Sequence, residues 1–132
     1  MTLDLAILRL SEHLAAYAAT RQGVIAENIA NADTPGYKAR DLLPFAEAYA
    51  EMALQPMAAT ATRPGHFALP AREGGPEIVF SHGPGTLSPN GNDVGLEDQM
   101  LRAAQTRMQH DLALGVYAKT LAILRTGLGR AR

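Results

Sequence analysis

Asn28-Ile29-Ala30-Asn31-Ala32-Asp33-Thr34-Pro35-Gly36-Tyr37 is the stretch where a helical pattern stops and the chain turns. Asn31 reads as the helix terminator, because Asn tolerates the left-handed conformation that ends many helices. Thr34 precedes a proline and is biased toward extended geometry. Pro35-Gly36 fits the two central positions of a type II turn, whose second residue needs a positive φ. Tyr37 follows as an anchor, with a ring to pack back and a hydroxyl that needs a partner.

Working outward, all eight prolines lie between positions 35 and 89, and both flanks are free of them. Proline removes a backbone donor and clashes inside helices. The chain therefore divides into an N-terminal helical arm (1–34), a hinge with an irregular middle (35–95) and a C-terminal helical arm (96–132), read as one structural unit. In the first arm Leu3, Ile7, Leu10, Leu14 and Tyr17 follow the alternating four-and-three spacing of a coiled-coil seam. Continued strictly, that series lands on Arg21 and Asn28. The expected pattern therefore slips to Ala18, Val24, Ile25 and Ile29, as a stutter produces.

The last arm repeats the spacing. Leu96, Met100, Ala103, Leu114, Tyr117, Leu121, Leu124 and Leu128 form one series, interrupted by Arg107 and His110, and Leu101, Ala104, Met108 and Leu112 form a second. Two stripes on one helix imply more than one neighbour. The expected packing positions are Ile7, Leu10, Leu14 and Tyr17 on the first arm, with Met100, Leu114, Tyr117, Leu121, Leu124 and Leu128 on the last. Gly95 followed by Glu97 and Asp98 suits a helix start. Residues 1–34 carry a net charge of −2 and residues 96–132 a net +3, which favours the arms lying together. The expected fold is mainly α: two long terminal helices pairing as a coiled-coil-like bundle around an irregular Pro/Gly-rich middle. That middle offers a short helix between Pro44 and Pro56. It also holds the apolar pieces His66-Phe67-Ala68-Leu69 and Glu77-Ile78-Val79-Phe80, which read either as short strands or as a loop ordered on assembly.

Composition narrows the function. A net charge of −1 over 132 residues gives no electrostatic footprint for nucleic acid. Cysteine is absent, which excludes thiolate chemistry and disulfides. The histidines at 13, 66, 82 and 110 show no helical metal-binding pair, and His66 with His82 alone makes a poor metal site. Gly83-Pro84-Gly85 lacks the Lys-Ser/Thr of a phosphate loop and reads as a turn. No cofactor, metal, small-molecule substrate or catalytic group is expected. The N-terminus has no basic region before an apolar run, so no cleavable secretory signal is expected, and no segment is apolar for long enough to span a bilayer.

The Asn28–Tyr37 stretch resembles the signature of flagellar rod and hook proteins, and Lys38-Ala39-Arg40-Asp41 is similar to the continuation in their proximal-rod members. Asn90-Gly91-Asn92-Asp93-Val94-Gly95-Leu96-Glu97 resembles that family's entry to its C-terminal helix, with Asp93 where the family favours Asn and Gly95 where it favours Asp. The resemblance makes Asn28, Asn31, Asp33, Thr34, Pro35, Gly36 and Tyr37 the family hinge. It implies a structural subunit of the basal-body rod, a helical assembly serving motility, which transmits torque and lines the export channel. It further implies a place in the periplasmic rod reached by type III export. The implied partners are other copies of the chain and neighbouring rod, rod-base and export-gate proteins. Two other readings remain: a rod subunit of the FlgC type, against which the absence of a Pro-Asn-Val element counts, and a soluble coiled-coil adaptor or chaperone of the export system.

Overall fold

The computed structural model describes residues 2–53, 76–81 and 88–129. In chain order the elements are helix α1 (Thr2–Ala30), strand β1 (Arg40–Leu42), helix α2 (Phe45–Ala53), strand β2 (Ile78–Phe80) and helix α3 (Leu96–Gly129). The two long helices are the proline-free arms, and the mainly α class expected from the sequence is the class observed. Helix α3 starts beside the end of α1, where Asn28 meets Gln99, and runs back along it as an antiparallel partner.

The short helix expected between Pro44 and Pro56 is α2, and the Pro44 carbonyl accepts from the Glu47 and Ala48 amides at its start. Of the two apolar pieces, Glu77–Phe80 contributes β2. It pairs antiparallel with β1 in the register Arg40↔Phe80, Asp41↔Val79, Leu42↔Ile78. The piece His66–Leu69, the His66/His82 pair and Gly83–Gly85 lie outside the described residues. The inner face of β1 closes the core: Tyr17, Val24 and Leu42 are buried together with Phe45 against them. Tyr17 meets Phe45 edge to face at 5.4 Å, and its hydroxyl donates to the Leu43 carbonyl at 2.6 Å.

Of the positions expected after the slip in α1, Ala18, Val24 and Ile25 are buried and Ile29 is exposed, but the buried line itself runs on without a break. Ser11, Ala18 and Ile25 are buried at seven-residue intervals, and Ile7, Leu14, Arg21 and Asn28 fall between them at four-and-three spacing. Arg21 and Asn28 therefore sit on the inner face, as the strict heptad requires, because each has its own polar partners there. Helix α3 differs in the same direction. Its buried residues are Gln99, Thr106, Ala113 and Thr120, again seven apart. Small side chains on this line, with Ala18 and Ala113 essentially inaccessible, let the helices approach closely. The larger apolar positions stand one residue off the line. Met100, Leu114 and Leu128 are 61%, 47% and 65% exposed, and Leu121 and Leu124 are half-buried. Leu10 and Tyr117 are 41% and 38% exposed within the single chain.

Thr120 returns its hydroxyl to the Val116 carbonyl, but the fully buried Thr106 Oγ1 has no hydrogen-bond partner among the described residues. An unpaired buried hydroxyl is costly, and its removal at constant shape is favourable. Thr106→Val should keep or raise the melting temperature, with a gain of up to about 1 kcal/mol. A clear drop in a thermal melt would show that the hydroxyl has a partner.

Candidate functional site

The last turn of α1 ends in a cluster of carboxamides. Asn31 closes the helix, although not in the expected left-handed conformation: among the described residues no non-glycine has positive φ. Its amide is shared between the Glu27 and Asn28 carbonyls, and its Nδ2 donates to the Glu27 carbonyl at 2.8 Å. That side-chain cap satisfies a terminal carbonyl which a left-handed residue would otherwise serve. Thr34 Oγ1 donates to Asn31 Oδ1, and the Tyr37 amide closes the turn on the Thr34 carbonyl at 3.3 Å. Gly36 has φ +72°, as the second residue of a type II turn requires.

Asn28 is fully buried, and both ends of its carboxamide are used. Nδ2 donates to the Arg40 carbonyl at 2.6 Å and to Gln99 Oε1 at 3.0 Å. Oδ1 accepts from the Arg40 amide at 3.0 Å and from the Tyr37 hydroxyl at 3.3 Å. A carboxamide offers two donors and two acceptor positions, so none is left over. One residue thereby joins the end of α1, the turn, β1 and the start of α3.

A second asparagine holds the same corner from the far side. The buried Asn92 donates from Nδ2 to the carbonyls of Asn31 and Thr34, at 2.9 and 2.8 Å, and its Oδ1 accepts from the Val94 amide. Around it the two segments zip together. The Gly36 amide donates to the Asn90 carbonyl, the Asp93 amide to the Tyr37 carbonyl, and the Ala39 amide to Asp93 Oδ1 at 2.6 Å. Gly91 packs beside Gly36, and its φ of +79° is the conformation that requires glycine there. Gly95 accepts the first α3 bond on its carbonyl, from the Gln99 amide, and so serves as the helix N-cap.

Next to this clasp lies a charge cluster. Arg21 forks onto Asp41 through Nε at 2.8 Å and Nη2 at 2.7 Å. Arg102 reaches the same carboxylate at 2.8 Å, donates to Ser81 Oγ, and pairs with Asp98 one turn earlier. Burial alone would raise the Asp41 pKa, but the Arg21 hydrogen bonds, the Leu42 amide and the charges of both arginines outweigh it and lower the value. Burial, the leading cause, raises the Tyr17 pKa, and its hydroxyl donates to the Leu43 carbonyl.

Of the expected hinge residues, Asn28, Asn31, Thr34, Gly36 and Tyr37 come together here, while Asp33 and Pro35 are exposed on the turn. Arg21, Asp41, Asn92, Gln99 and Arg102 complete the site; Asp41 and Asn92 lie in the two further stretches that resemble the family, while Gln99 and Arg102 were not singled out from sequence. The signal for Arg21 was its place on the strict heptad, and for Gln99 its seven-residue interval to Thr106. The expected helix-packing residues do not converge on this corner. Among the described residues no three His or acidic side chains form a metal-holding group, and no helix is long and apolar enough to cross a membrane.

The family described as "Flagella basal body rod protein" matches residues 15–38, from mid-α1 through Asn28 to the turn. Over 110 residues, 80% of either chain, the sequence is 31% identical to the flagellar basal body rod protein FlgB of Agrobacterium fabrum. It is 30% identical over 122 residues to FlgB of Salmonella typhimurium, covering 88% of either chain. To FlgB of Escherichia coli it is 34% identical over 117 residues, covering 83% of either chain. The chain belongs to the flagellar basal body rod family. It is a structural component of the basal body, assembling with other rod components rather than catalysing a reaction, and the FlgC-type and adaptor readings are not favoured. The family match ends one residue before the Ala39 amide that Asp93 holds, so it covers the α1 side of the clasp and not its α3 side.

Two measurements test the site. Asn28→Ala orphans the Arg40 backbone groups and Gln99, and should cost roughly 2–4 kcal/mol. Asn28→Asp sets a carboxylate against the Arg40 carbonyl and Gln99 Oε1. It should cost at least as much at neutral pH and recover partly, relative to wild type at the same pH, on acidification, because a protonated carboxyl regains a donor. Equal melting temperatures for wild type and both variants would remove Asn28 from the centre of the clasp. Asp41, with its lowered pKa, contributes stability above the ordinary carboxylate value of 3.8, which is lost as the pH falls from there through the native value. Asp41→Asn should therefore melt lower at neutral pH and lose less on acidification than wild type. Parallel pH profiles would contradict the linkage.

Proposed function

We propose that the chain is a proximal-rod subunit whose outward helix faces pack against other copies of itself and against neighbouring rod, rod-base and export-gate proteins. In this reading the assembled helices transmit torque and line the export channel. The division into a helical arm over 1–34, a hinge and middle over 35–95 and a helical arm over 96–132 reflects those roles. The subunit reaches the periplasmic rod through type III export.

One observation carries the reading. Helix α3 spends its inward line on Gln99, Thr106, Ala113 and Thr120 and leaves Met100, Leu101, Met108, Leu112, Leu114 and Leu128 exposed. They fall in two stripes, Met100, Leu114 and Leu128 on one and Leu101, Met108 and Leu112 on the other, and exposed apolar stripes on a helix mark interaction surfaces. Ile7, Leu10, Leu14 and Tyr17 with Met100, Leu114, Tyr117, Leu121, Leu124 and Leu128 then divide between contacts inside the chain and contacts between chains. The Asn28–Asn92 clasp fixes the angle at which the middle leaves the helix pair, and with it the placement of each subunit on the next.

Leu114→Asp tests the surface directly, because Leu114 is 47% exposed and lies outside the buried cluster of Tyr17, Val24 and Leu42. The variant should keep wild-type helix content and melting temperature, yet fail to enter rods and abolish motility when it is the only copy. Lys119→Ala should be much milder. Incorporation of Leu114→Asp at wild-type levels would mean that this face is not an interface.

A further inference from the structure

Asn90-Gly91 is the one Asn-Gly pair in the sequence. In an open chain such a pair is chemically labile. The Gly91 backbone nitrogen loses its proton and attacks Cγ of Asn90, a five-membered succinimide closes, and the side-chain nitrogen leaves as ammonia. Solvent water then opens the ring at either carbonyl. One opening gives aspartate at position 90. The other gives isoaspartate, in which the main chain runs through the former side chain. Glycine favours the attack because it carries no side chain to hinder it and its backbone is freely mobile.

In the folded chain the backbone hydrogen bonds of this loop oppose the step. The Gly91 amide donates to the Ser88 carbonyl at 2.8 Å, which holds the proton that the nucleophile must lose. Asn90 Oδ1 accepts from the Asn92 amide at 3.1 Å, which turns the carboxamide along the chain. The Asn90 carbonyl accepts from the Gly36 amide at 3.0 Å. Ring closure needs Asn90 Cγ to swing onto Gly91 N, and both of the first two bonds must break for that. Burial is not the protection, since Asn90 is exposed to solvent.

We propose that Asn90-Gly91 is a modification site opened by unfolding: the closed clasp suppresses succinimide formation, and a chain kept unfolded converts to aspartate or isoaspartate at this position. In the isoaspartate form the carbonyl that met Gly36 leaves the main chain as a free carboxylate, and the chain reaches Gly91 through Cβ and Cγ, one carbon longer. This form therefore refolds without the Gly36 contact. A chain that stays unfolded too long loses the ability to close its hinge.

The test uses the isolated full chain and is independent of the assembly reading. The protein is held at mildly alkaline pH with and without guanidinium, and modification at position 90 is followed by peptide mass and by isoaspartyl methyltransferase labelling. The folded chain should react on the order of tenfold or more slowly than the unfolded one, in line with protection by a locally stable structure. Asn92→Ala, which unties the loop from Asn31, Thr34 and Val94, should raise the rate without denaturant while circular dichroism still shows both helices. Asn90→Gln should abolish the signal, because the larger ring closes poorly. Chains already carrying isoaspartate should melt lower after refolding. Equal rates in folded and unfolded protein overturn the proposal, as does a helical Asn92→Ala variant reacting at the wild-type folded rate.

Discussion

A chain leaving a helix end and crossing the face of its own protein carries backbone groups that must find partners once water is excluded. At this corner the Asn28 carboxamide provides them. Its C=O and NH₂ meet the N–H and C=O of Arg40 as a neighbouring strand would, so β1 has β2 on one edge and a side chain on the other. Because the same carboxamide also holds Tyr37 and Gln99, a three-residue strand gains a fixed position relative to both long helices. A leucine at this position would fill space but leave Arg40 with two unpaired groups, which explains a polar residue on the strict heptad.

The Asp41 cluster acts on the same three elements with charge instead of amides. A carboxylate with one buried arginine gains little after desolvation, since the cost of removing both ions from water offsets their attraction. Here Asp41 receives Arg21 from α1, Arg102 from α3 and the Leu42 amide, while Asp98 balances the second arginine. Satisfying every charge makes the arrangement specific: shifting α3 along α1 by one turn would strand Arg102 away from Asp41 and Gln99 away from Asn28 together. The clasp and the charge cluster therefore set the register of a helix pair whose seam of alanine, serine and threonine has few large knobs to set it.

Proline placement made the two arms and α2 legible in the sequence, and β2 was legible as an apolar piece bounded by turn residues. The turn at Pro35-Gly36 was readable because only glycine tolerates its φ cheaply. The unbroken heptad in α1 was not, because Arg21 and Asn28 look like interruptions until their partners at Asp41, Arg40 and Gln99 are known, and those lie 12 to 71 residues away. Strand β1 was missed for a related reason: three residues of Arg-Asp-Leu carry no period of two, and long-range pairing alone makes them a strand. The inward line of α3 was misplaced by one residue, since hydrophobic spacing picks out leucines whatever they face.

That last displacement bears on how such a subunit is built. A helix paired once in a finished monomer keeps its large apolar residues inside, because burial stabilises by about 25 cal/mol per Å² of apolar surface. Helix α3 does the reverse, giving its small residues to the partner within the chain and its leucines and methionines to the outside. The arrangement suits a subunit that assembles with other rod components, because contacts made after folding can cover such faces. The monomer then needs just enough internal order to hold two helices in register and aim the hinge, which buried amides and charges supply without a large core. Selective placement of polar contacts at the corner and apolar contacts along the rods thus separates the shape of the subunit from the strength of its assembly.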